Sequence, residues 1–253
     1  MRTYAVSGTA SGLGAAIRRR LEREGHRVVG VDRRDADVIA DLGSAAGRRQ
    51  AIEAVRERCG GALDGVVSCA ALGPYDAPEP VARVNYFGAV AFLDGLRGEL
   101  ARGKEPAAVA ISSIGAVFDE IMVADFLDAC RAGDEEKAAA AMRDRDGTTS
   151  YSNAKRALAR AVRERVVEWG ALGIRLNAVA PGKMETPMLD RLLASADHAP
   201  AINALPVPLG RSSPADDIAA TVVFLLGPDA RYVHGQVLFV DGGSEALVRP
   251  TAY

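Results

Sequence analysis

Histidine and cysteine are scarce in this chain, with three of each among 253 residues. The cysteines Cys59, Cys69 and Cys130 are odd in number and too widely spaced for a CxxC motif. A zinc or iron–sulfur site therefore has little support, and we expect no bound metal. Unpaired cysteines are typical of a reducing compartment, so we expect a cytoplasmic protein with free thiols.

Long apolar runs and a strong excess of one charge are also missing. No run approaches the roughly 20 apolar residues needed to span a bilayer. The N-terminal segment MRTYAVSGTASGLG turns glycine-rich after one basic residue, unlike a signal peptide. A formal charge of −2 gives no electrostatic reason to expect nucleic acid or an anionic membrane as a partner.

Short apolar, β-branched runs alternate with helical patterns along the chain. Several runs are apolar throughout, as expected for strands covered on both faces. The predicted strands are Thr3–Ser7, Val28–Val31, Gly65–Ser68, Ala107–Ser112, Ile174–Val179 and Gln236–Val240. The predicted helices are Ala15–Glu24, Ser44–Arg58, Val81–Leu100, Ser152–Trp169 and Pro214–Leu226. This alternation predicts an α/β fold with a parallel, doubly wound sheet and helices on both faces, in one domain spanning 1–253.

A glycine-rich turn, SGTASGLG, follows the first predicted strand and opens the first helix. Residues without a Cβ let the backbone bend sharply and approach a pyrophosphate closely. The N–H groups and positive dipole end of the following helix then attract the phosphates. The position of the glycines at this junction is stronger evidence than a glycine triplet alone. The cofactor-binding residues predicted here are Gly8, Ser11, Gly12, Leu13 and Gly14.

Asp32 ends the second predicted strand, eighteen residues beyond Gly14. A carboxylate there accepts hydrogen bonds from the adenosine ribose hydroxyls and repels a 2′-phosphate, which favours NAD(H) over NADP(H). The neighbouring Arg33 and Arg34 are able to hold a 2′-phosphate instead. We weigh Asp32 more heavily because its repulsion acts at close range, and we interpret the arginines as a solvated strand end.

Lysine is also scarce, with four against twenty-seven arginines, yet Lys155 stands four residues after Tyr151. Residues four apart share a helix face and project into one cleft. A nearby ammonium favours the phenolate and moves the tyrosine towards a useful general acid or base. A chance pair at this spacing arises in roughly one chain of this composition in ten. Ser112 and Ser113 stand at the end of the predicted strand that precedes the Tyr151 helix. A hydroxyl there would either polarise a substrate carbonyl or simply cap a turn.

Several motifs together resemble the short-chain dehydrogenase/reductase family, in the family's order and along the whole chain. They are the three glycines, ISS, YSNAK, NAVAPG and VDGG. The strings DRRDADVIADL, VNYFGA, ETPML, YVHG and RPTAY more closely resemble the family's bacterial 3α-hydroxysteroid dehydrogenases/carbonyl reductases.

The resemblance implies a Rossmann-type fold and an NAD-dependent oxidoreductase that interconverts a secondary alcohol and a ketone. A bulky apolar substrate such as a 3α-hydroxysteroid is favoured. A broad-specificity carbonyl reductase and a non-catalytic dinucleotide-binding regulator are the alternatives.

The same resemblance implies four catalytic residues. Ser113 would orient the carbonyl and Tyr151 would transfer the proton, while Lys155 would lower the pKa of Tyr151 and hold the nicotinamide ribose. Asn85 would support a water-linked proton path, or else be a polar helix residue bonded to backbone. Further cofactor-binding residues are Asp41 and Leu42 at the adenine, Cys69 and Ala70 beneath the cofactor, Pro181 and Gly182, and Thr186 at the carboxamide.

The chain departs from the family after the fourth predicted strand. Where many members have Asn-Asn-Ala-Gly, it has Ser68–Ala71, SCAA. We therefore expect the asparagine's bonds to the sheet to be missing, with small residues forming the floor under the cofactor. Gly73 is the candidate source of backbone freedom.

Two segments do not follow the simple alternation. Residues 114–150 comprise 37 residues where the family commonly has about a dozen, with one helical face at Phe118, Ile121, Met122 and Phe126 and a charged helix at 134–145. They form either a cap over the substrate cleft or a surface insertion that blocks the usual helix–helix assembly contact. We favour the insertion, so a homodimer or homotetramer would use the Pro214–Leu226 helix and the last strand.

Residues 183–209 form the second segment, which combines leucines, alanines and prolines. We interpret it as a lid that closes over a hydrophobic substrate, with ordinary packing as the alternative. His198 within it is interpreted as a loop residue rather than a proton carrier.

Overall fold

Seven parallel strands form the central sheet of the computed structural model, which describes residues 1–252. The strands in chain order are β1 (Thr3–Ser7), β2 (Arg27–Asp32), β3 (Val38–Ile39), β4 (Gly65–Ser68), β5 (Ala107–Ile111), β6 (Arg175–Pro181), β7 (Met184–Glu185), β8 (Ser213–Pro214) and β9 (Val237–Val240). The sheet order is β3-β2-β1-β4-β5-β6-β9, while β7 and β8 pair separately. The chain thus winds outward in both directions from β1, and the predicted doubly wound sheet is confirmed.

Helices cover both faces of this sheet. They are α1 (Gly12–Arg23), α2 (Ala45–Arg58), α3 (Pro78–Ala82), α4 (Ala89–Gly95), α5 (Arg97–Leu100), α6 (Ala124–Ala132), α7 (Glu135–Met142), α8 (Gly147–Glu164), α9 (Val166–Gly170), α10 (Pro187–Ala194), α11 (Ala199–Ala204), α12 (Ala215–Leu226) and α13 (Ser244–Val248). None of the helices in residues 1–252 is long and apolar enough to cross a membrane.

The hydrophobic core has two layers because both faces of the parallel sheet are buried. On one face α1 and α12 pack against the sheet through residues such as Ile17 and Val222. On the other, α2, α4 and α8 contribute Val55, Phe92 and Leu158, all at most 1% exposed. Burying each such side chain stabilises the fold by about 1.5–3 kcal/mol. The layers hold the sheet's carboxyl edge, where the candidate site lies, in a fixed geometry.

The predicted single helix Val81–Leu100 is wrong in detail, because the segment is broken into pieces. A π-helical turn over Arg83–Gly88 follows α3 and carries Asn85. A second break falls at Leu96, whose φ of −103° and ψ of 4° end α4 before α5 begins. A π turn inserts an extra residue into the helical hydrogen-bond ladder, and a hydrophobic pattern does not reveal it.

The segment 114–150 contains α6 and α7, but the predicted continuous face from Phe118 to Phe126 is not one helix. Two 3₁₀ turns, Ile114–Val117 and Asp119–Ile121, precede α6, and only Phe126 of the four apolar residues lies in a helix. The reason is a tertiary contact: the Asn153 side chain of α8 accepts a hydrogen bond from the extended Val123 backbone N–H at 2.8 Å. The helix therefore begins only after Val123.

Helices α6 and α7 pack on other helices. Arg48 of α2, only 8% exposed, forms an ion pair with Glu135 at 2.5 Å. Arg83 pairs with Glu136 at 2.9 Å, and the Tyr86 hydroxyl donates to the Cys130 carbonyl at 2.9 Å. The segment is therefore attached to α2, the π turn and α8.

Candidate active site

The turn between β1 and α1 forms a cradle at the carboxyl edge of the sheet. Gly8 and Gly12 have φ values of +80° and +54°, in the left-handed region that favours glycine. A Cβ on Gly8 would lie 2.8 Å from the Ala70 nitrogen, and one on Gly14 would overlap the Gly8 carbonyl. No side chain caps α1, whose N-cap residue is Ser11. The first N–H groups of this helix are therefore free to bind a pyrophosphate.

Asp32 stands beside this cradle at the end of β2. Its carboxylate accepts hydrogen bonds from the backbone N–H groups of Ala10, at 3.0 Å, and Arg33, at 2.6 Å. These bonds fix the carboxylate at the edge of the turn. Arg33 and Arg34 are exposed, and Arg34 lies 4.0 Å from Asp35. That Asp32 governs the cofactor choice stays a prediction.

Ser7 connects the loop after β4 to the sheet, although the family asparagine is missing from this loop. Its buried hydroxyl oxygen accepts hydrogen bonds from the backbone N–H groups of Cys69, at 3.0 Å, and Ala70, at 3.1 Å. The loop after β4 is thereby tied to the end of β1. Sequence analysis missed this role because a serine before a glycine turn carries no distinctive signal. Gly73 stays outside the left-handed region, so the suggestion that it supplies unusual backbone freedom is wrong.

Tyr151 and Lys155 lie on one face of α8. The helix begins at Gly147, earlier than predicted, because the Asp146 carboxylate accepts a hydrogen bond from the Thr149 N–H at 2.6 Å and caps it. The ammonium of Lys155 lies 5.6 Å from the centroid of the Tyr151 ring. It also donates to the carbonyl of Ile111 at 2.8 Å, which attaches the catalytic face of the helix to the end of β5.

Ser113 follows β5 and is 9% exposed. Its hydroxyl oxygen accepts a hydrogen bond from the Gly115 N–H at 3.1 Å, as the cap of a 3₁₀ turn. Because the hydroxyl accepts in that bond, its proton remains available to donate to a substrate oxygen. Ser112 instead donates to the Lys155 carbonyl at 2.9 Å and has a structural role. The capping role and the catalytic role of Ser113 are therefore compatible.

Burial dominates the protonation of the tyrosine–lysine pair. It raises the pKa of the Tyr151 phenol, while the neighbouring Ser113 hydroxyl acts in the opposite direction. It lowers the pKa of the Lys155 ammonium from 10.5 to about 8. The expectation that the pKa of Tyr151 is lowered is therefore wrong, because desolvation outweighs the other influences on the phenol. Burial also raises the pKa of the Cys69 thiol to about 12, so this cysteine is a neutral part of the floor.

Asn85 is buried, and its side chain is used by backbone groups. Its Oδ1 accepts from the Leu72 N–H at 2.8 Å, and its Nδ2 donates to the Leu72 carbonyl at 3.0 Å. The side chain therefore holds the loop after β4, which is the alternative that the sequence left open.

The remaining predicted cofactor residues surround the same edge. Thr186 caps α10, and its Cγ2 would lie 3.4 Å from a Cβ on Gly12, so it closes the cradle from the far side. Gly182 donates to the Val240 carbonyl at 3.2 Å, directly after Pro181 at the end of β6. The structure places the adenine-pocket candidates Asp41 and Leu42 just beyond the end of β3. Within residues 1–252 no cluster of His, Cys, Asp or Glu side chains is placed to hold a metal ion.

A phosphate cradle, a ribose-facing carboxylate and a serine–tyrosine–lysine group at one sheet edge are the features of a dinucleotide-dependent dehydrogenase or reductase. The comparisons with known proteins agree. The sequence family described as enoyl-(acyl carrier protein) reductase matches residues 137–245. The chain is 42% identical over 260 residues to a 3-alpha-hydroxysteroid dehydrogenase/carbonyl reductase of Comamonas testosteroni, covering 100% of both chains. It is 31% identical to the short-chain reductase protein NovJ of Streptomyces niveus, covering 94% of this chain and 92% of the relative.

Among solved structures, the 3-alpha-hydroxysteroid dehydrogenase from Pseudomonas sp. B-0831, complexed with NADH, superposes with a TM-score of 0.96. It is 44% identical and covers 99% of this chain and 100% of its own. The chain belongs to the short-chain dehydrogenase/reductase family and is an oxidoreductase. The predicted family, fold class and enzyme class are thereby confirmed.

Proposed function

We propose that this protein is an NAD(H)-dependent oxidoreductase that interconverts a secondary alcohol and a ketone, with a 3α-hydroxysteroid as its substrate. The observation that carries the proposal is the common placement of Ser113, Tyr151 and Lys155 beside the glycine cradle. The relative from Comamonas testosteroni, at 42% identity, supports the substrate class by its name. A broad carbonyl reductase is the second candidate, since that same name includes the activity.

The residues at the sheet edge fit a nicotinamide dinucleotide. The Gly8–Gly14 cradle would hold the pyrophosphate, Asp32 the adenosine ribose and Lys155 the nicotinamide ribose. Asp41 and Leu42 would border the adenine, with Thr186 at the carboxamide. When bound, NAD supplies the hydride acceptor for alcohol oxidation and its reduced form the hydride donor for carbonyl reduction. The carboxylate of Asp32 repels a 2′-phosphate and so selects NAD over NADP.

The protein's own groups manage the proton and the carbonyl oxygen. Ser113 donates a hydrogen bond to the substrate oxygen and stabilises its developing charge. Tyr151 gives a proton to this oxygen during reduction and takes it back during oxidation. Lys155, fixed by the Ile111 carbonyl, keeps a compact cation at the ribose position. Asn85 acts indirectly by fixing Leu72, and the water-linked proton path stays a prediction.

The test uses cofactor absorbance with purified protein, NAD⁺ and a 3α-hydroxysteroid, with NADP⁺ and the 3β epimer in parallel. Reduction of NAD⁺ by the 3α epimer alone is the expected result. If no steroid reacts but simple aldehydes, ketones or quinones oxidise NADH, the chemistry stands and the steroid assignment is overturned. Cofactor binding without any turnover would instead support the non-catalytic regulator.

The assembly and location are also proposals. Because α6 and α7 are packed against the helices that many family members use for association, we propose a homo-oligomer built on α12 and the edge strand β9. Phe224 of α12 is 45% exposed and would enter that contact. Light scattering should give a dimer or tetramer, and a monomeric mass would overturn the proposal. The free thiols of Cys59 and Cys130, both buried, support a reducing cytoplasm.

A further inference from the structure

Tyr75, in the loop after β4, is held between two unlike partners. The guanidinium carbon of Arg191 lies 3.7 Å from the centroid of the Tyr75 ring, which is the geometry of a cation–π stack. On the other side the ring covers Gly73, where a Cβ would come within 2.6 Å of the Tyr75 Cζ atom. Only glycine permits this close approach. Sequence analysis identified none of the three as a functional group acting on the lid.

The loop that carries Tyr75 is fixed against the catalytic helix. Gly73 donates to the Asp76 carboxylate at 2.8 Å, and Asp76 donates through its backbone N–H to the Gly73 carbonyl at 3.1 Å, which makes a tight turn. A Cβ on Gly147, the first residue of α8, would overlap the carbonyl oxygens of Pro74 and Asp76. Gly147 lies one helical turn before Tyr151 on the same face, so Tyr75 stands beside the catalytic phenol.

Two further facts place one member of the stack near Tyr151 and the other at the surface. A charge on Tyr75 would raise the pKa of Tyr151, as expected for neighbouring phenols. Arg191 is exposed and makes no ion pair within the part of the chain that the structure describes, residues 1–252. Its guanidinium instead contacts Tyr75. The same helix, α10, buries Leu189 and Leu192 and begins directly after its cap residue Thr186, beside the cradle.

We propose that Tyr75 and Arg191 form a clasp that holds α10 closed beside Tyr151, so that both are positioning residues for a bulky apolar substrate. The inference rests on the proposed function, because it assigns the lid's closing contact in that same site. Tyr75 belongs to the rigid wall of the cleft and Arg191 to the lid segment, so their stack connects the two. A substrate beneath α10 is retained only while this connection is made.

The size of the effect follows from the strength of the contact. An exposed cation–π pair changes an equilibrium by about 2- to 5-fold, and a desolvated one by about 30-fold. Arg191→Ala should therefore raise the KM for a 3α-hydroxysteroid by about 2- to 5-fold and leave kcat almost unchanged, because neither residue touches the reacting atoms. Tyr75→Phe keeps the aromatic face and should behave like the native protein. Tyr75→Leu keeps apolar bulk without the π face and should match Arg191→Ala.

The experiment compares these three variants and the double variant Tyr75→Leu/Arg191→Ala in steady-state kinetics and in limited proteolysis of residues 183–209 with NAD⁺ bound. Tyr75→Leu and Arg191→Ala should each speed proteolysis within residues 183–209. The double variant should show no larger change in KM or in proteolysis rate than either single variant, because both substitutions remove the same contact. Arg163→Ala, which removes an exposed arginine from the far end of α8, is the matched control and should change neither measurement.

Equal KM and equal cutting in Tyr75→Leu, Arg191→Ala and the native protein would overturn the clasp. So would a Tyr75→Phe variant as defective as Tyr75→Leu, because the π face would then not be the cause. If the native protein turns over no steroid, the proposed substrate fails, but the proteolysis comparison still decides the clasp.

Discussion

The ammonium of Lys155 lies 5.6 Å from the centroid of the Tyr151 ring and donates its hydrogen bond, at 2.8 Å, to the carbonyl of Ile111. The lysine is therefore held by the sheet and does not depend on the tyrosine for its position. Both groups are desolvated, and burial alone pushes each towards its neutral form. A lysine ammonium is compact and can titrate at this buried position, whereas a guanidinium stays charged. Binding of the nicotinamide ribose by Lys155 stays a prediction.

Tyr151→Phe should remove nearly all turnover while NAD still binds. The substitution keeps the ring and deletes only the proton-transferring hydroxyl, for which a loss of about 10²- to 10⁴-fold in kcat is expected. Cofactor absorbance measures turnover and calorimetry measures NAD binding. A variant with native turnover would overturn the catalytic assignment, and one that no longer binds NAD would show that the hydroxyl is needed for cofactor binding or folding instead.

The pH dependence of stability should report the buried charge of Lys155. Burial lowers the pKa of this group in the folded protein from 10.5 to about 8. Between these two pH values the unfolded chain binds more protons, so the free energy of unfolding rises with pH. Below pH 8 the buried charge of Lys155 destabilises the folded protein, and above pH 10.5 this penalty is gone. Across the range the unfolding free energy should therefore rise by on the order of 3 kcal/mol through this group.

Denaturant unfolding of the native protein and of Lys155→Met across this pH range measures that contribution. The difference in unfolding free energy should grow in favour of the native protein as pH rises, because the methionine cannot titrate. Lys104→Met, which replaces an exposed lysine, should run parallel to the native protein. Parallel curves for Lys155→Met as well would contradict the lowered pKa.

The parts of the fold that could be predicted from sequence depend on repeated, local signals. The alternation of apolar runs and helical patterns defines the sheet, and the glycine spacing with Asp32 defines the cradle. Short strands such as Val38–Ile39 escape this approach because two residues show no periodicity. The π turn at Asn85 escapes it as well, since hydrophobic patterning does not register one extra residue.

The site was predictable where a motif specifies the residue and not where the contact is tertiary. Ser113, Tyr151 and Lys155 come together as expected. The roles of Ser7 and of the Tyr75–Arg191 stack depend on residues 62 and more than 100 positions apart in the chain, respectively. The pKa of Tyr151 also depends on burial, which the spacing of YSNAK does not encode.

Cofactor choice should depend on Asp32. Asp32→Ser removes the carboxylate that accepts from Ala10 and Arg33 and leaves Arg33 and Arg34 beside the ribose. The preference for NAD⁺ over NADP⁺ should fall by about 10- to 100-fold, because a charged hydrogen-bond acceptor and its repulsion of phosphate are both lost. The ratio of kcat/KM for the two cofactors measures this. An unchanged ratio would show that another group selects the cofactor.

Two buried serines should respond oppositely to removal of their hydroxyls. Ser7→Ala leaves the N–H groups of Cys69 and Ala70 without an acceptor, at a cost of about 1–3 kcal/mol in unfolding free energy and weaker NAD binding. Ser68→Ala, in the neighbouring strand, deletes a buried hydroxyl that has no hydrogen-bond partner within the described residues and should be neutral or stabilising. Thermal unfolding of both variants tests the pair, and equal losses would contradict the bridging role of Ser7.

Substitutions in the ion pairs of α7 can distinguish the two interpretations of residues 114–150, a surface insertion and a cap over the substrate cleft. Glu135→Gln leaves Arg48, which is 8% exposed, without its carboxylate and should lower the unfolding free energy by about 1–3 kcal/mol. Glu136→Gln is the matched control on the next residue, whose side chain is 82% exposed, and it should be indistinguishable from the native protein. Because these contacts attach α7 to α2 and the π turn, a surface insertion predicts that Glu135→Gln loses stability without any change in KM for the steroid. A KM that rises together with the loss of stability would show that the segment caps the cleft.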